Sequence, residues 1–322
     1  MRAARGQRTA ILALAGVVLL SGVAGAQDIS PQAWLGRMSD AMQSTNYEGT
    51  VIRVQDDKVE ALKVVRVVED GVVHERVVTQ EGNGLEIIRI GNEVRCILPD
   101  KQSVLVEEWN DQGAVFSALP SSDASMGSEY DVSIVREERV AGRKALLLAI
   151  RPHDVYRYGH RLWLDVKTGF PLQTQLIGED GDAVEQVMFA EISLDQDIHS
   201  SALAPTMSTD NFRWFTQPQR TIKRTVNSPW GSDELPSGFR VVSAQEEEIA
   251  GEDDAVMHIL YSDGLANVSV FIEPVSDKKI AQRSRIGASN SYSTQYEGFQ
   301  VTAVGEVPAA TVEQIATSMR PL

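Results

Sequence analysis

A chain of 322 residues is long enough for two domains with separate cores. Its 45 acidic against 30 basic residues give a net charge of −15, which argues against a nucleic-acid binder and confines any anionic partner to a local basic patch. One cysteine, Cys96, rules out an intramolecular disulfide; with no metal-like spacing beside it, zinc and redox readings drop out, and "EVRCIL" reads as a strand with a buried thiol.

The first ten residues, "MRAARGQRTA", carry Arg2, Arg5 and Arg8 and no acid. The apolar run "ILALAGVVLLSGVAGA" follows and ends in Ala24-Gly25-Ala26, the pattern of a signal peptide over 1–26 cut before Gln27. Without those three arginines, 27 basic residues face 45 acidic ones, a net charge of −18. No later stretch approaches the roughly 20 apolar residues of a spanning helix, so the mature chain is expected to be soluble and exported, with a bacterial periplasm the best fit.

"ISPQAWLGRMSDAMQSTNY" predicts a helix of about four turns. Ser30 is the cap and Pro31 the first helical residue. Trp34, Met38 and Met42 recur every four positions with Leu35 and Ala41 beside them, which makes one apolar face. Strand signals then dominate: "YEGTVIRV", then "ALKVVRVVEDGVVHERVVTQ" with a turn at Asp70-Gly71, "GLEIIRI", "EVRCILP" and "SVLVEEW". "DQGAVFSALPSSDASMG" reads as a loop. The strands resume in "EYDVSIVREERVAGRKALLLAIRP" and in "HRLWLDVKTGFPLQTQLIGEDGDAVEQVMFAEISL". About eleven short antiparallel strands and one helix over 27–210 predict an open half-barrel wrapped on the helix, apolar on its concave side. A ligand pocket is expected there, lined by Leu35, Met38, Met42, Val51 and Trp163.

Over 211–234 the strand rhythm fades. "NFRWFTQPQRTIKRTVNSPWGS" holds Arg213, Arg220, Lys223 and Arg224, with Trp214 and Trp230, and no acid. This is a linker by composition and a cationic patch by charge. A smaller α+β domain is expected over 235–322. It comprises "GFRVVSAQEEEI", an acidic turn "AGEDD", a hairpin "AVMHILYSDGLANVSVFIEP", two further strands, and a closing helix with Val312, Ile315, Ala316 and Met319 on one face.

No HExxH, GxSxG, P-loop or GxGxxG motif is present, and no catalytic residue, metal or cofactor is expected. The nearest approach to a catalytic cluster is His160 among Tyr156, Arg157, Tyr158 and Asp165. "YRYGHRLW" makes more sense as a contact surface, because Arg157 and Arg161 can pair with phosphate or carboxylate while tyrosine and tryptophan offer rigid area. Plain strand aromatics covering a core edge account for it equally well.

Three segments carry a family resemblance: "NYEGTVIRV", "RPHDVYRYGHRLWLDVKTGFPLQTQ" and "HILYSDGLANVSVFIEP". They resemble the RseB/MucB family, periplasmic negative regulators of the envelope-stress sigma factor (sigma-E or AlgU), and the resemblance spans essentially the whole mature chain. It implies a larger domain similar to the lipoprotein carrier LolA, with a smaller one beside it. It also implies binding to the periplasmic part of a membrane-anchored anti-sigma factor, RseA or MucA. That binding would shield the factor from the first protease of a cascade. Lipopolysaccharide or another mislocalised lipid would release the shield, from a site in the half-barrel. An extended partner segment is then expected between the domains, bordered by Trp214, Arg220, Lys223, Arg224 and Trp230, with Tyr156, Arg157, Tyr158 and Arg161 on the barrel side. Self-association into a homo-oligomer is an open alternative. A LolA-type carrier of lipid or lipoprotein is the competing reading, although a simple carrier has no need of the second domain.

Overall fold

In the computed structural model, which describes residues 29–82, 84–108, 119, 128–194, 197–216, 220–224, 228–249, 255–275 and 281–322, Ser30 accepts a hydrogen bond from the Ala33 N–H and Pro31 opens helix α1 (Pro31–Ser44). The leader, most of the 111–127 loop and the acidic turn at 250–254 lie outside the described residues.

Six strands follow α1: β1 (Tyr47–Gln55), β2 (Lys58–Glu69), β3 (Val72–Thr79), β4 (Glu86–Ile90), β5 (Glu93–Leu98) and β6 (Ser103–Glu108). Five more come after the loop: β7 (Tyr130–Val140), β8 (Arg143–Pro152), β9 (Gly159–Asp165), β10 (Pro171–Ile177) and β11 (Ala183–Leu194). Two-residue turns join β1 to β2, β2 to β3, β4 to β5 and β7 to β8. Asp70 and Gly71 both have positive φ, 50° and 77°, the backbone that joins right-twisted strands with least splay.

Two meanders, β1–β6 and β7–β11, meet where β1 pairs antiparallel with β11. The resulting order is β12-β6-β5-β4-β3-β2-β1-β11-β10-β9-β8-β7, with β12 (Arg213–Thr216) added parallel to β6. Gly49 sits at the seam, where a Cβ would meet the Glu191 carbonyl oxygen at 2.6 Å and the Phe189 ring at 2.9 Å. The sheet does not close, yet it curls enough for its end strand β7 to touch both β11 and α1.

The concave side is a packed core. Trp34, Leu35, Met38 and Met42 of α1 meet Val51, Leu148, Leu162, Leu164, Phe170 and Phe189. Tyr47 tilts against Phe170 at 5.0 Å between ring centroids and stands edge-on to Phe189 at 5.7 Å. Cys96 is half-buried rather than fully buried, and burial raises its thiol pKa.

The stretch read as a linker carries three short strands. Besides β12, these are β13 (Arg220–Arg224) and β14 (Trp230–Ser232). Proline and polar residues hide them from a periodicity reading, but their backbone groups find partners on strands already present. The second unit adds β15 (Arg240–Ile249), β16 (Val256–Ser262), β17 (Asn267–Pro274), β18 (Gln282–Ile286), β19 (Ser289–Tyr296), β20 (Phe299–Gly305), helix α2 (Ala309–Ser318) and β21 (Met319–Pro321). Its sheet runs β13-β15-β16-β17-β20-β19-β18, and β14 pairs with β21. Helix α2 packs on β19 and β20, burying Val312, Ile315 and Ala316, with Met319 buried just beyond it, as the apolar stripe predicts.

Candidate partner- and ligand-binding surfaces

The loop "HDVYRY" between β8 and β9 turns towards the second domain and docks there. Arg157 has a fully buried side chain. Its Nε donates to Asp263, one Nη to Asp154 and the other to the Ser237 carbonyl. Asp263, equally buried, also accepts from the Tyr130 hydroxyl at 2.8 Å and from the N–H groups of Leu265 and Ala266 at 2.9 and 2.7 Å. The guanidinium lies 5.0 Å from the Phe239 ring centroid and 5.7 Å from that of Tyr130. The neighbouring tyrosines join the same clasp. Tyr156 bonds Gln314 through its hydroxyl and accepts from Thr311 through its carbonyl, while Tyr158 reaches Ala288 and Asn290.

Of the three residues expected to face a partner, Arg157 and Tyr158 are buried against this chain's own second domain, and Tyr156, half-buried, bonds to it as well. A buried guanidinium needs a carboxylate and further acceptors, and here Asp263, 106 positions away, supplies the charge. Trp230 also departs from its expected place. It is buried in the second domain's core, edge-on to Phe299 and Tyr296 at 5.2 and 6.3 Å, and offers no anchor to a partner.

Four of the residues expected to line a pocket under α1 are buried in the described structure. Met38 and Val51 have no exposed area at all, so no water-sized space touches them, and Leu35 and Met42 are buried beside them. Trp163, the fifth residue of that set, belongs to the opposite face. Val51 pairs with Phe189, Val187 with Thr174 and Thr174 with Leu162, which fixes the helix side; Trp163 pairs with Leu147 and Gln173 on the convex side. Its indole N–H donates to Glu138, which holds that carboxyl below its usual pKa.

Trp163 floors a surface cavity of about 610 Å³ on this convex face, together with Leu147, Ala149 and Ile177. Arg136, Arg151 and Arg161 also line it, and Asp154, Arg157 and His160 of the clasp loop and its edge close one end. Burial pushes the His160 imidazole down to about 4 from an ordinary 6.5, against the opposing pull of Asp263. Between those values the unfolded chain binds more protons than the folded one, so stability from this group is complete above pH 6.5 and drains away as pH falls to 4. That window is worth up to about 3 kcal/mol. Replacing His160 with Gln should flatten the stability curve across it, and denaturant melts at several pH values should register the change; parallel curves for both proteins would contradict the assignment.

The remaining predicted contacts are spread out. Trp214 on β12 is half exposed, under the Arg95 guanidinium at 5.8 Å, and borders a smaller cavity of about 360 Å³ with Ile88, Ile90 and Leu203. Arg224 is exposed. The backbone of β13 sets Lys223 opposite Glu246 and Arg224 opposite Gln245 on β15, so the basic strand lies against the acidic "QEEEI". Arg161 is exposed and bonds Gln175 weakly at 3.4 Å. The sequence signal for the clasp was present in Asp263-Gly264, an acidic residue at a hairpin turn, but its pairing with Arg157 is long-range and invisible to local pattern.

Comparison with known proteins supplies the family. Residues 30–207 match the MucB/RseB N-terminal domain and residues 224–320 the MucB/RseB C-terminal domain. The sigma factor AlgU regulatory protein MucB of Pseudomonas aeruginosa is 30% identical over 324 residues, covering 97% of each chain. The sigma-E factor regulatory protein RseB of Escherichia coli strain K12 is 26% identical over 306 residues, 95% of each. The crystal structure of MucB in complex with MucA(peri) superposes with a TM-score of 0.69 at 30% identity, over 91% of this chain and 99% of that one. With both domains matched in order and a relative aligned over nearly its full length, this chain belongs to the MucB/RseB family.

Proposed function

We propose that this protein is a periplasmic regulatory subunit that binds the periplasmic region of a membrane-anchored anti-sigma factor of the RseA/MucA type. It shields that region from regulated proteolysis and lets go when a lipid such as lipopolysaccharide binds it. It acts by holding its partner, without chemistry of its own. The observation that supports this reading most is the likeness, at 30% identity and across both domains, to a MucB bound to MucA(peri). The two-domain build adds support, since a plain carrier of lipid or lipoprotein has no use for a second sheet clamped to the first.

The test is a titration of the purified protein with the periplasmic fragment of the anti-sigma factor from its own source. A stable complex that slows cleavage of the fragment is expected, and absence of any complex would end the reading. Charge reversal at Arg220, Lys223 and Arg224 should weaken binding about tenfold and lessen its salt dependence, because exposed charges act over roughly 10 Å at 0.1 M salt. Unchanged affinity at two salt concentrations would leave β13 with a structural role only.

A further inference from the structure

We infer that the two domains meet at a proton-operated latch, built from Glu185 of the first and Glu306 of the second, which tightens when a proton is taken up and loosens as pH rises. The latch is a second contact beside the Arg157 clasp. The turn after β1 meets the turn after β18 there: Asp56 accepts from the Gly287 N–H at 3.0 Å and from the Arg285 guanidinium at 3.1 Å. Gly287 has a φ of 59°, and a Cβ on it would collide with the Gln55 side-chain amide, so the two turns approach closely. Tyr158, Leu176 and Ala288 bury an apolar patch across the same contact, with Val184 packed against it. Glu185 follows Val184 and accepts from the Gln55 amide. Glu306 precedes Val307, whose carbonyl accepts from Asn290, and Asn290 also donates to the Tyr158 hydroxyl.

Charge balance makes the contact sensitive. Among the described residues, three carboxylates face two guanidinium groups here: Glu185, Glu306 and Asp56 against Arg53 and Arg285. Asp56 takes Arg285 in an exposed pair. Arg53 is left with both glutamates, and its buried Nε has no hydrogen-bond partner. One cation between two half-buried carboxylates leaves a negative charge unbalanced, and a bound proton removes it. Burial pushes both carboxyl groups above their ordinary 4.5; Glu185 adds repulsion at Glu306, and Arg53 opposes the rise at each. Stability from groups raised in this way is complete below pH 4.5 and is lost as pH climbs through the folded values. That sign is the reverse of the His160 effect, so the two are told apart by direction. Tyr158 also faces Glu306 and Asp56, but burial lifts its hydroxyl above an ordinary 10, out of this range. The hold of one domain on the other, and with it any surface they share, then follows the pH of the compartment.

The test is amide hydrogen exchange of the purified full chain at pH 5 and pH 8, without any partner. The Gly287 N–H is the reporter, because it bonds across the contact to Asp56. Its protection, taken relative to an unstructured chain at the same pH, should be at least about fivefold greater in acid. Glu185→Gln and Glu306→Gln each present an uncharged side chain of the same shape. Each should raise protection at pH 8 and cut the pH effect to less than about twofold. Arg53→Gln should act the opposite way, because it strips the carboxylates of their cation: protection should fall at least about fivefold at pH 8 and recover in acid. Three results would each overturn the latch: equal wild-type protection at both pH values, a pH effect that both glutamine variants keep in full, or a loss in the Arg53 variant by the same factor at both.

Discussion

Replacing Arg157 with alanine is expected to cost about 3–5 kcal/mol of stability and to uncouple the two domains. The guanidinium and its partner Asp263 are both without exposed side-chain area, so the variant leaves a carboxylate buried with no cation. Asp263 would keep the Tyr130 hydroxyl and two backbone N–H groups, which soften the loss without replacing a charge. The Ser237 carbonyl would lose its donor, and Phe239 the guanidinium 5.0 Å from its ring. Lysine at 157 should recover less than half, because one ammonium cannot reproduce a planar fork that serves Asp154, Asp263 and Ser237 together. Urea unfolding is the measurement: one cooperative transition in the wild type should split into two in the alanine variant. A single transition displaced by less than about 1 kcal/mol would mean that the clasp does not couple the domains.

Met38→Asp should be comparably severe, at least about 4 kcal/mol, for a different reason. Met38 is fully buried among apolar side chains at the centre of the α1–sheet contact, and the change puts an ionisable group there. Two milder substitutions calibrate it. Leucine conserves volume and should cost less than about 1.5 kcal/mol, and alanine should cost about 2–5 kcal/mol through the cavity it leaves. The order Leu, Ala, Asp in increasing cost separates a packed core from a lined pocket, because a pocket that admits solvent or ligand would tolerate alanine and accept aspartate at modest cost. Thermal unfolding of the three variants decides between them, and binding of a hydrophobic dye by the aspartate variant should reveal the uncovered concave face.

What the residues disclosed on their own follows the reach of each signal. The four-residue repeat of Trp34, Met38 and Met42 identifies the buried face of α1, and Gly turns mark off eleven strands, because both signals are local. The strands β12 to β14 escaped because they are three to five residues long and set among prolines, and their assignment depends on distant partners. Alternation groups Arg161 with Trp163 correctly, yet it cannot say which face of the sheet the helix covers; that is decided by the β1–β11 pairing. Arg157 and Arg161 look alike in "YRYGHRLW", and only the tertiary fold buries one against Asp263 and leaves the other on the surface.

The seam between β1 and β11 has a bearing on how the chain is assembled. The turn at Asp56 and Asp57, both with left-handed φ, lets β1 pair with β2 almost at once, but its other edge waits for a strand far downstream: Thr50 bonds Glu191 across 141 positions. A chain that emerges amino-terminus first therefore completes the β1–β6 meander while one flank of β1 still shows open hydrogen-bonding groups beside Val51 and Tyr47. Contacts of such long separation form late, so this flank is the template on which two nascent copies would stick together. The register of that pairing shifts between Thr50 and Val51 because β11 carries the extra residue, Ala190, so the irregularity belongs to the late-arriving strand and the waiting flank of β1 is itself regular.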